Sequence, residues 1–162
     1  MTSTTLVAGI GNIFLSDDGF GPEVLRRVAP RLTEPTVRAV DYGIRGMHLA
    51  YDLLDGCDAL VLVDALPNRG AAGTLHVFEA DHDILTAATG LDAHAMDPAA
   101  VFASLNALGG SPPYTVVIGC EVACIEEGLG LSTAVAAAVP DAVHAVEDVL
   151  VRLSARTTAR EG

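Results

Sequence analysis

The sequence has no tryptophan and no lysine, and its nine cationic residues are all arginine. Against these stand 21 acidic residues, which give a net charge of −12 at pH 7. A protein that binds nucleic-acid backbone or an anionic membrane needs clustered cations, so this composition excludes both partners. Three cysteines, an odd number, do not form a disulfide framework and predict an intracellular protein.

We also expect no targeting segment. The apolar run from Leu6 to Leu15 has no cation before it, because the first is Arg26, whereas a secretory signal begins with a basic leader. The longest charge-free window runs from Pro98 to Cys120, but a Gly-Gly-Ser-Pro-Pro turn at 109–113 divides it into two elements. We therefore expect a cytoplasmic location and no contact with a membrane.

The chain is 162 residues long and 51% hydrophobic, which suits one folded domain with a substantial core. We predict a single domain over residues 1–162, with a frayed tail from about 155 to 162. Apolar runs predict strands over 5–10, 36–40, 59–63, 74–78 and 114–118.

Helical spacing predicts a helix after Ser16, Asp17 and Asp18, with Pro22 in its first turn. Further helices are predicted over 47–54, from Asp97-Pro98 to about 108, and from 132 onward with a kink or break at Pro140. Strands that alternate with helices predict an α/β sandwich with a mostly parallel sheet. In such sheets ligands bind beyond the carboxyl ends of the strands.

Three groups of candidate ligands fall at that edge: the Asp17/Asp18 pair, Asp64 and His94. Each has an ordinary structural alternative, namely a helix cap, a hydrogen bond within a turn, and a surface histidine. Two carboxylates and one imidazole on one edge would suit nickel or zinc with coordination positions left open. Glu121 lies near the same edge and ranks below these three.

Other binding motifs fit poorly. Gly9 and Gly11 match a dinucleotide fingerprint, but Phe14 stands at its third glycine position, and the acids that follow would repel a phosphate. One Cys120-x-x-x-Cys124 pair is a weak zinc signal, and no Gly-x-Ser-x-Gly motif supports a serine nucleophile. Surface or capping roles are expected for the remaining histidines, His48, His76, His82 and His144.

Five ordered motifs resemble the hydrogenase maturation proteases, the endopeptidases that process the large subunit of nickel–iron hydrogenases. They read GIGNIFLSDDGFGPEVLRRV, DYGIRGMHLAYDLL, LVLVDALPNRGAAGTLHVFE, DAHAMDPAAVFASL and GLGLSTAVAAAVP. Together they cover nearly the whole chain, from about Leu6 to Leu153. The resemblance implies a phosphorylase/hydrolase-like, three-layer sandwich with a twisted, mostly parallel sheet between helices.

The resemblance also implies an activity and its residues. Such enzymes remove a short C-terminal peptide from the nickel-loaded large-subunit precursor, which is the expected partner, and they carry no permanent cofactor. By motif, the residues that contact the substrate's nickel are Asp18, Asp64 and His94, expected to be both catalytic and metal-contacting. A monomer is expected.

Two departures from the family pattern stand out. The segment Asp41–Gly46 lacks the family's threonine, although its glycines suggest that the turn survives, and the region from Cys120 to Glu127 lacks a proline that many relatives carry. Two other functions stay open at this point. One is a non-catalytic chaperone that binds nickel or the precursor, and the other is a different small α/β hydrolase.

Overall fold

The computed structural model describes residues 3–81 and 97–161. In these ranges the sheet has five strands, which are β1 (Thr5–Ile10), β2 (Val37–Gly43), β3 (Ala59–Leu66), β4 (Leu75–Glu79) and β5 (Tyr114–Glu121). Their order in the sheet is β2-β1-β3-β5-β4, with β4 antiparallel to β5 and the other neighbours parallel. The helices are α1 (Phe20–Val28), α2 (Gly46–Asp55), α3 (Pro98–Ala107) and α4 (Thr133–Glu161).

Each face of the sheet carries its own hydrophobic core, because alternate residues of a strand point to opposite faces. Val7 and Val61 pack with α1 and α4 on one face. Leu6 and Leu60 pack with α2 and α3 on the other face. Two layers of helices therefore enclose the sheet, which confirms the predicted three-layer α/β sandwich with a mostly parallel sheet. No helix in the described ranges combines the length and the apolar character needed to span a membrane.

Several predicted boundaries are wrong, chiefly at the carboxyl ends of strands. β3 continues to Leu66, so Asp64 lies inside the strand, in register with Gly119 of β5. β5 likewise continues to Glu121, and β2 continues to Gly43. The added residues include Asp41, Asp64 and Glu121, polar residues that sequence patterns assign to loops, but neighbouring strands satisfy their backbone groups.

The C-terminal helix also differs from the prediction. The sequence predicted a kink or break at Pro140, and α4 instead runs without a break from Thr133 through Pro140 to Glu161. The face that includes Val135, Val139 and Val146 is buried against the sheet on both sides of the proline. This continuous burial outweighs the loss of one backbone donor at Pro140.

The connection from β1 to α1 packs closely against the backbone of β1 and β3, and only glycine fits at two of its positions. A Cβ on Gly21 would collide with the carbonyl oxygen of Ile10 and lie 2.6 Å from that of Val63. A Cβ on Gly11, which has φ +146°, would collide with the carbonyl oxygen of Asp18. Gly21 and Gly11, the second of which suggested a nucleotide motif, therefore allow α1 and the turn before it to lie directly against the ends of β1 and β3.

We expect Gly21→Ala to destabilise the fold by about 3 kcal/mol, because the added methyl group meets backbone that cannot move away. Gly110→Ala is the matched control: the atoms nearest its new Cβ are the ends of the Leu105 and Leu54 side chains, which can shift. Its expected cost is about 1 kcal/mol. Urea unfolding of both variants measures the difference, and equal losses would contradict this account of the loop.

Candidate active site

Asp64 is the buried carboxylate at the carboxyl edge of the sheet. It lies near the end of β3, is 9% exposed, and its Oδ1 accepts a hydrogen bond of 2.8 Å from the Ala65 N–H. Burial raises the pKa of Asp64 well above its ordinary value, and the negative charge of Asp18 raises it further. The Ala65 N–H offsets only part of this effect.

Asp18 is the second predicted ligand, and the structure brings it within electrostatic range of Asp64. It lies in a 3-10 turn over Ser16–Gly19, is partly exposed, and its Oδ2 accepts a hydrogen bond of 2.8 Å from the Asn12 N–H. Neither Asp18 nor Asp17 caps α1, whose N-cap is Gly19 without a side-chain hydrogen bond. The alternative of an ordinary helix cap is therefore wrong for both residues.

A third carboxylate, Asp97, interacts electrostatically with Asp64. Its Oδ1 caps α3 with a bond of 2.9 Å from the Ala99 N–H, as predicted, and its charge also raises the pKa of Asp64. The sequence predicted only the capping role for Asp97. Its position at the start of α3, which packs against the sheet, could have indicated that its charge also acts on Asp64.

The third predicted ligand, His94, lies in the segment 82–96, outside the described residues, so its position stays a prediction. Within residues 3–81 and 97–161, no group of three or more His, Cys, Asp or Glu side chains is arranged to hold a metal ion. The described part of the site is therefore a pair of carboxylates, Asp18 and Asp64, with Asp97 in electrostatic range.

Asp17 has a different role from its neighbour. Its side chain is 0% exposed and accepts four hydrogen bonds, from the N–H groups of Ala123, Cys124 and Ser132 and from the Ser132 hydroxyl, at 2.7–3.0 Å. Burial by itself raises the pKa of Asp17, but these four donors outweigh it and the pKa is lowered. Asp17 therefore joins the loop after β1 to the loop after β5.

Backbone contacts join the same two loops. Leu15 and Gly128 form a parallel bridge, and the Ser16 hydroxyl donates to the Glu126 carbonyl oxygen at 2.8 Å. Ser16 has φ +51°, a left-handed conformation that is uncommon for serine. This conformation coincides with the turn at which Asp17 enters the interior and Asp18 stays beside Asp64.

Glu121 does not join the carboxylate pair as a free ligand. It is 4% exposed, and its Oε1 accepts bonds from the N–H groups of Arg69 and Ala71, at 2.8 and 3.3 Å. Its Oε2 lies 2.8 Å from Nε2 of His76, and this bond is the main cause of the lowered pKa of Glu121. Both residues thus fix the loop between β3 and β4, a role that spacing alone did not indicate.

The cysteines have structural positions, as predicted. Cys120 is buried in β5 and Cys124 lies in the loop beyond, so the two are not on one helix, and both are free thiols, as is Cys57. Burial and then the Asp17 charge raise the pKa of Cys120 to about 11, which keeps it protonated near neutral pH.

The predicted turn at Asp41–Gly46 also forms despite its missing threonine. Gly43 has φ +55°, and its N–H donates to Oδ1 of Asp41 at 2.9 Å. The Gly11 N–H in turn donates to the Gly43 carbonyl oxygen, which ties this turn to the loop after β1. The threonine is therefore not required for the shape of this segment.

Comparisons with known proteins agree on one family. The family model described as hydrogenase maturation protease matches residues 22–149. The hydrogenase expression/formation protein HupD of Rhodobacter capsulatus is 32% identical over 142 residues, which are 85% of this chain and 67% of that protein. A second HupD, from Bradyrhizobium diazoefficiens, is 31% identical, and the alignment covers 75% of this chain and 64% of the relative.

Solved structures show the same similarity. The hydrogenase maturating endopeptidase HybD from Escherichia coli has a TM-score of 0.78 and 26% identity, covering 92% of this chain and 93% of that one. The hydrogenase 2 maturation peptidase from the Thaumarchaeota archaeon SCGC_AB-539-E09 has a TM-score of 0.69 and 28% identity. The match covers 91% of this chain and 98% of that one.

The contrast between adjacent aspartates gives a testable prediction. We expect Asp17→Asn to destabilise the protein by about 3 kcal/mol, because an amide nitrogen replaces an acceptor that faces buried donors. We expect Asp18→Asn to change stability by less than about 0.5 kcal/mol, since its amide oxygen still accepts from Asn12. Chemical denaturation measures both, and a larger loss for Asp18→Asn would reverse the assigned roles.

The raised pKa of Asp64 predicts the opposite effect on stability. The folded protein binds the Asp64 proton more tightly than the unfolded chain does, so ionising this carboxyl weakens the fold as pH rises through its folded pKa. We expect Asp64→Asn to raise the thermal unfolding midpoint at pH 7. This gain should shrink as pH falls and vanish below the ordinary value of 3.8, where the Asp64 carboxyl is neutral in the folded and in the unfolded protein.

Asp148→Asn is the control for that measurement, because Asp148 is an exposed aspartate on α4, far along the chain from the site. Surface substitutions of this kind usually change stability little. A lower midpoint for Asp64→Asn at pH 7, or a gain that persists at low pH, would contradict the assigned electrostatics.

Proposed function

Because this chain belongs to the hydrogenase maturation protease family, and is therefore a peptidase by family, we propose that it processes the large-subunit precursor of a nickel–iron hydrogenase. In this proposal it removes a short C-terminal peptide after nickel has been installed in the precursor. The observation that carries the proposal is the pair formed by the buried Asp64 and the partly exposed Asp18 at the carboxyl edge, the place where an α/β sheet binds its ligands.

A cation supplied by the substrate would relieve the electrostatics of this pair. Asp64 is buried beside the charges of Asp18 and Asp97, so its ionised form is disfavoured in the protein alone. A divalent metal ion beside the pair would favour the ionised form and turn mutual repulsion into attraction. Carboxylate oxygens with one imidazole are a donor set that suits nickel.

We assign the contact with the precursor's nickel to Asp18, Asp64 and His94. Two carboxylates and one histidine would complete the coordination of an ion that the precursor already holds, and the chain would need no permanent cofactor. Binding would then be productive only with a loaded precursor. In this way cleavage would report that nickel insertion is complete.

Hydrolysis adds water across one peptide bond: a water oxygen bonds to the carbonyl carbon, the C–N bond breaks, and the leaving amine gains a proton. Two routes fit the site. In one, nickel polarises the carbonyl and lowers the pKa of a bound water. In the other, nickel positions the bond and a carboxylate takes the proton from water. The raised pKa of Asp64 suits the second route, since a carboxylate with a raised pKa holds a proton more tightly and is a stronger base than an ordinary one.

The test is the intact mass of a nickel-loaded large-subunit precursor from the same organism, incubated with the protein. We expect loss of one discrete C-terminal peptide. His94→Ala, Asp64→Asn and Asp18→Asn should each slow cleavage about 100-fold or more, because each removes a contact to the reacting site. Asp148→Asn is the matched control and should cleave at the parent rate.

Three further outcomes separate the alternatives. A nickel-free precursor should stay intact, and its cleavage at the normal rate would contradict recognition through the metal. A stable complex without any change of mass would favour the non-catalytic chaperone. Full activity of His94→Ala would overturn the assignment of the site even if the protein is a protease.

A further inference from the structure

Four large apolar side chains stand exposed on the two loops beside the carboxylate pair. Ile13 and Phe14 follow β1 and are 50% and 63% exposed, and Ile125 and Leu129 follow β5 and are 51% and 76% exposed. We refer to Ile13, Phe14, Ile125 and Leu129 as the apolar rim. Exposed apolar side chains that are grouped on two joined loops, rather than scattered singly, are typical of a contact surface.

The apolar rim rests on a fixed support. The Gly128 N–H donates to the Phe14 carbonyl oxygen and the Ser16 N–H donates to the Gly128 carbonyl oxygen, both at 2.9 Å. Phe14 and Leu129 therefore each lie one residue from the Leu15–Gly128 bridge, on paired stretches of backbone. The Asp17 carboxylate holds the same two loops together from inside. The apolar side chains are thus presented by an ordered platform, which lowers the entropy cost of binding.

The charge around the apolar rim restricts what it can bind. Glu126 and Glu127 are exposed between Ile125 and Leu129, and neither segment 11–25 nor segment 120–132 contains a cation. An anionic membrane would be repelled by this surface, and so would a second copy of this chain, whose net charge is also −12. The complementary partner is an apolar segment flanked by cations.

We propose that the apolar rim binds the precursor itself, through an apolar segment with flanking Arg or Lys residues close to the bond that is cut. This inference rests on the proposed function. The rim lies close to the carboxylates, because Asp18 is only three residues after Leu15. A precursor whose nickel reaches the carboxylates must also cover these loops. The rim contributes to affinity and not to the chemical step.

The test compares kcat and KM for cleavage of the nickel-loaded precursor by Phe14→Ser, Leu129→Ser and the double variant. We expect each single change to raise KM about tenfold, as for a central apolar contact of an interface, with kcat within about twofold of the parent. Val151→Ser is the matched control: Val151 is 68% exposed on α4, and its loss should leave both constants within about twofold.

Charge is tested separately with the Glu126→Gln, Glu127→Gln double variant. Its KM should exceed that of the parent at low ionic strength, and the difference should shrink in high salt because exposed charges are screened. The Ser16 hydroxyl bonds to the backbone of Glu126, so the platform survives these changes. An equal KM at low salt would overturn the charged part of the proposed partner chemistry.

The outcomes separate this inference from the proposed function. Cleavage by the parent with an unchanged KM for the Phe14→Ser, Leu129→Ser double variant would overturn the inference alone. A loss of kcat at unchanged KM would also overturn it, since the rim would then act on the reacting site. Failure of the parent protein to cleave the precursor would overturn the proposed function and the inference with it. Ile125→Ser is a further variant of the rim. The thermal unfolding midpoint of every variant separates loss of binding from loss of folding.

Discussion

The geometry of the candidate site depends on the buried carboxylate of Asp17. Its four donors come from Ala123, Cys124 and Ser132, which lie 106–115 residues away along the chain. An ionised group in the interior is tolerated only when such donors replace its water. The loop after β1 can therefore take one position relative to the loop after β5, and Asp18 and the apolar rim occupy their places as a consequence.

Asp17 and Asp18 show how one residue type serves opposite purposes. Asp17 meets a full set of donors, so its charge is stabilised and its pKa is lowered. One oxygen of Asp18 accepts a hydrogen bond from the Asn12 N–H, and the negative charge of Asp18 helps to raise the pKa of Asp64. The first arrangement strengthens the fold, and the second weakens it at neutral pH. Such a cost is characteristic of groups that are kept for binding or chemistry.

Features that depend on residues close together in the sequence were predicted well. Contacts between residues far apart in the sequence were not predicted. β1 was predicted over its full length because its apolar run ends in glycine, and Asp97 was predicted as a cap because its partner Ala99 is two residues away. Position at the carboxyl edge nominated Asp64 and the Asp17/Asp18 pair, and the family resemblance selected Asp18 from that pair. The structure brings Asp18 within electrostatic range of Asp64. The roles of Asp17 and Glu121 were missed, since their partners are distant in sequence and leave no periodic pattern.

The same electrostatics explain why a processing enzyme would rely on a metal ion carried by its substrate. A site with balanced charge gains little from one more cation, whereas Asp64 beside Asp18 and Asp97 gains much. If the ion arrives with the precursor, that gain exists only in the complex with a loaded precursor. An empty precursor would bring its apolar contacts to the rim but leave the carboxylates in mutual repulsion. Discrimination between the two precursors would then follow from charge, without any movement of the protein.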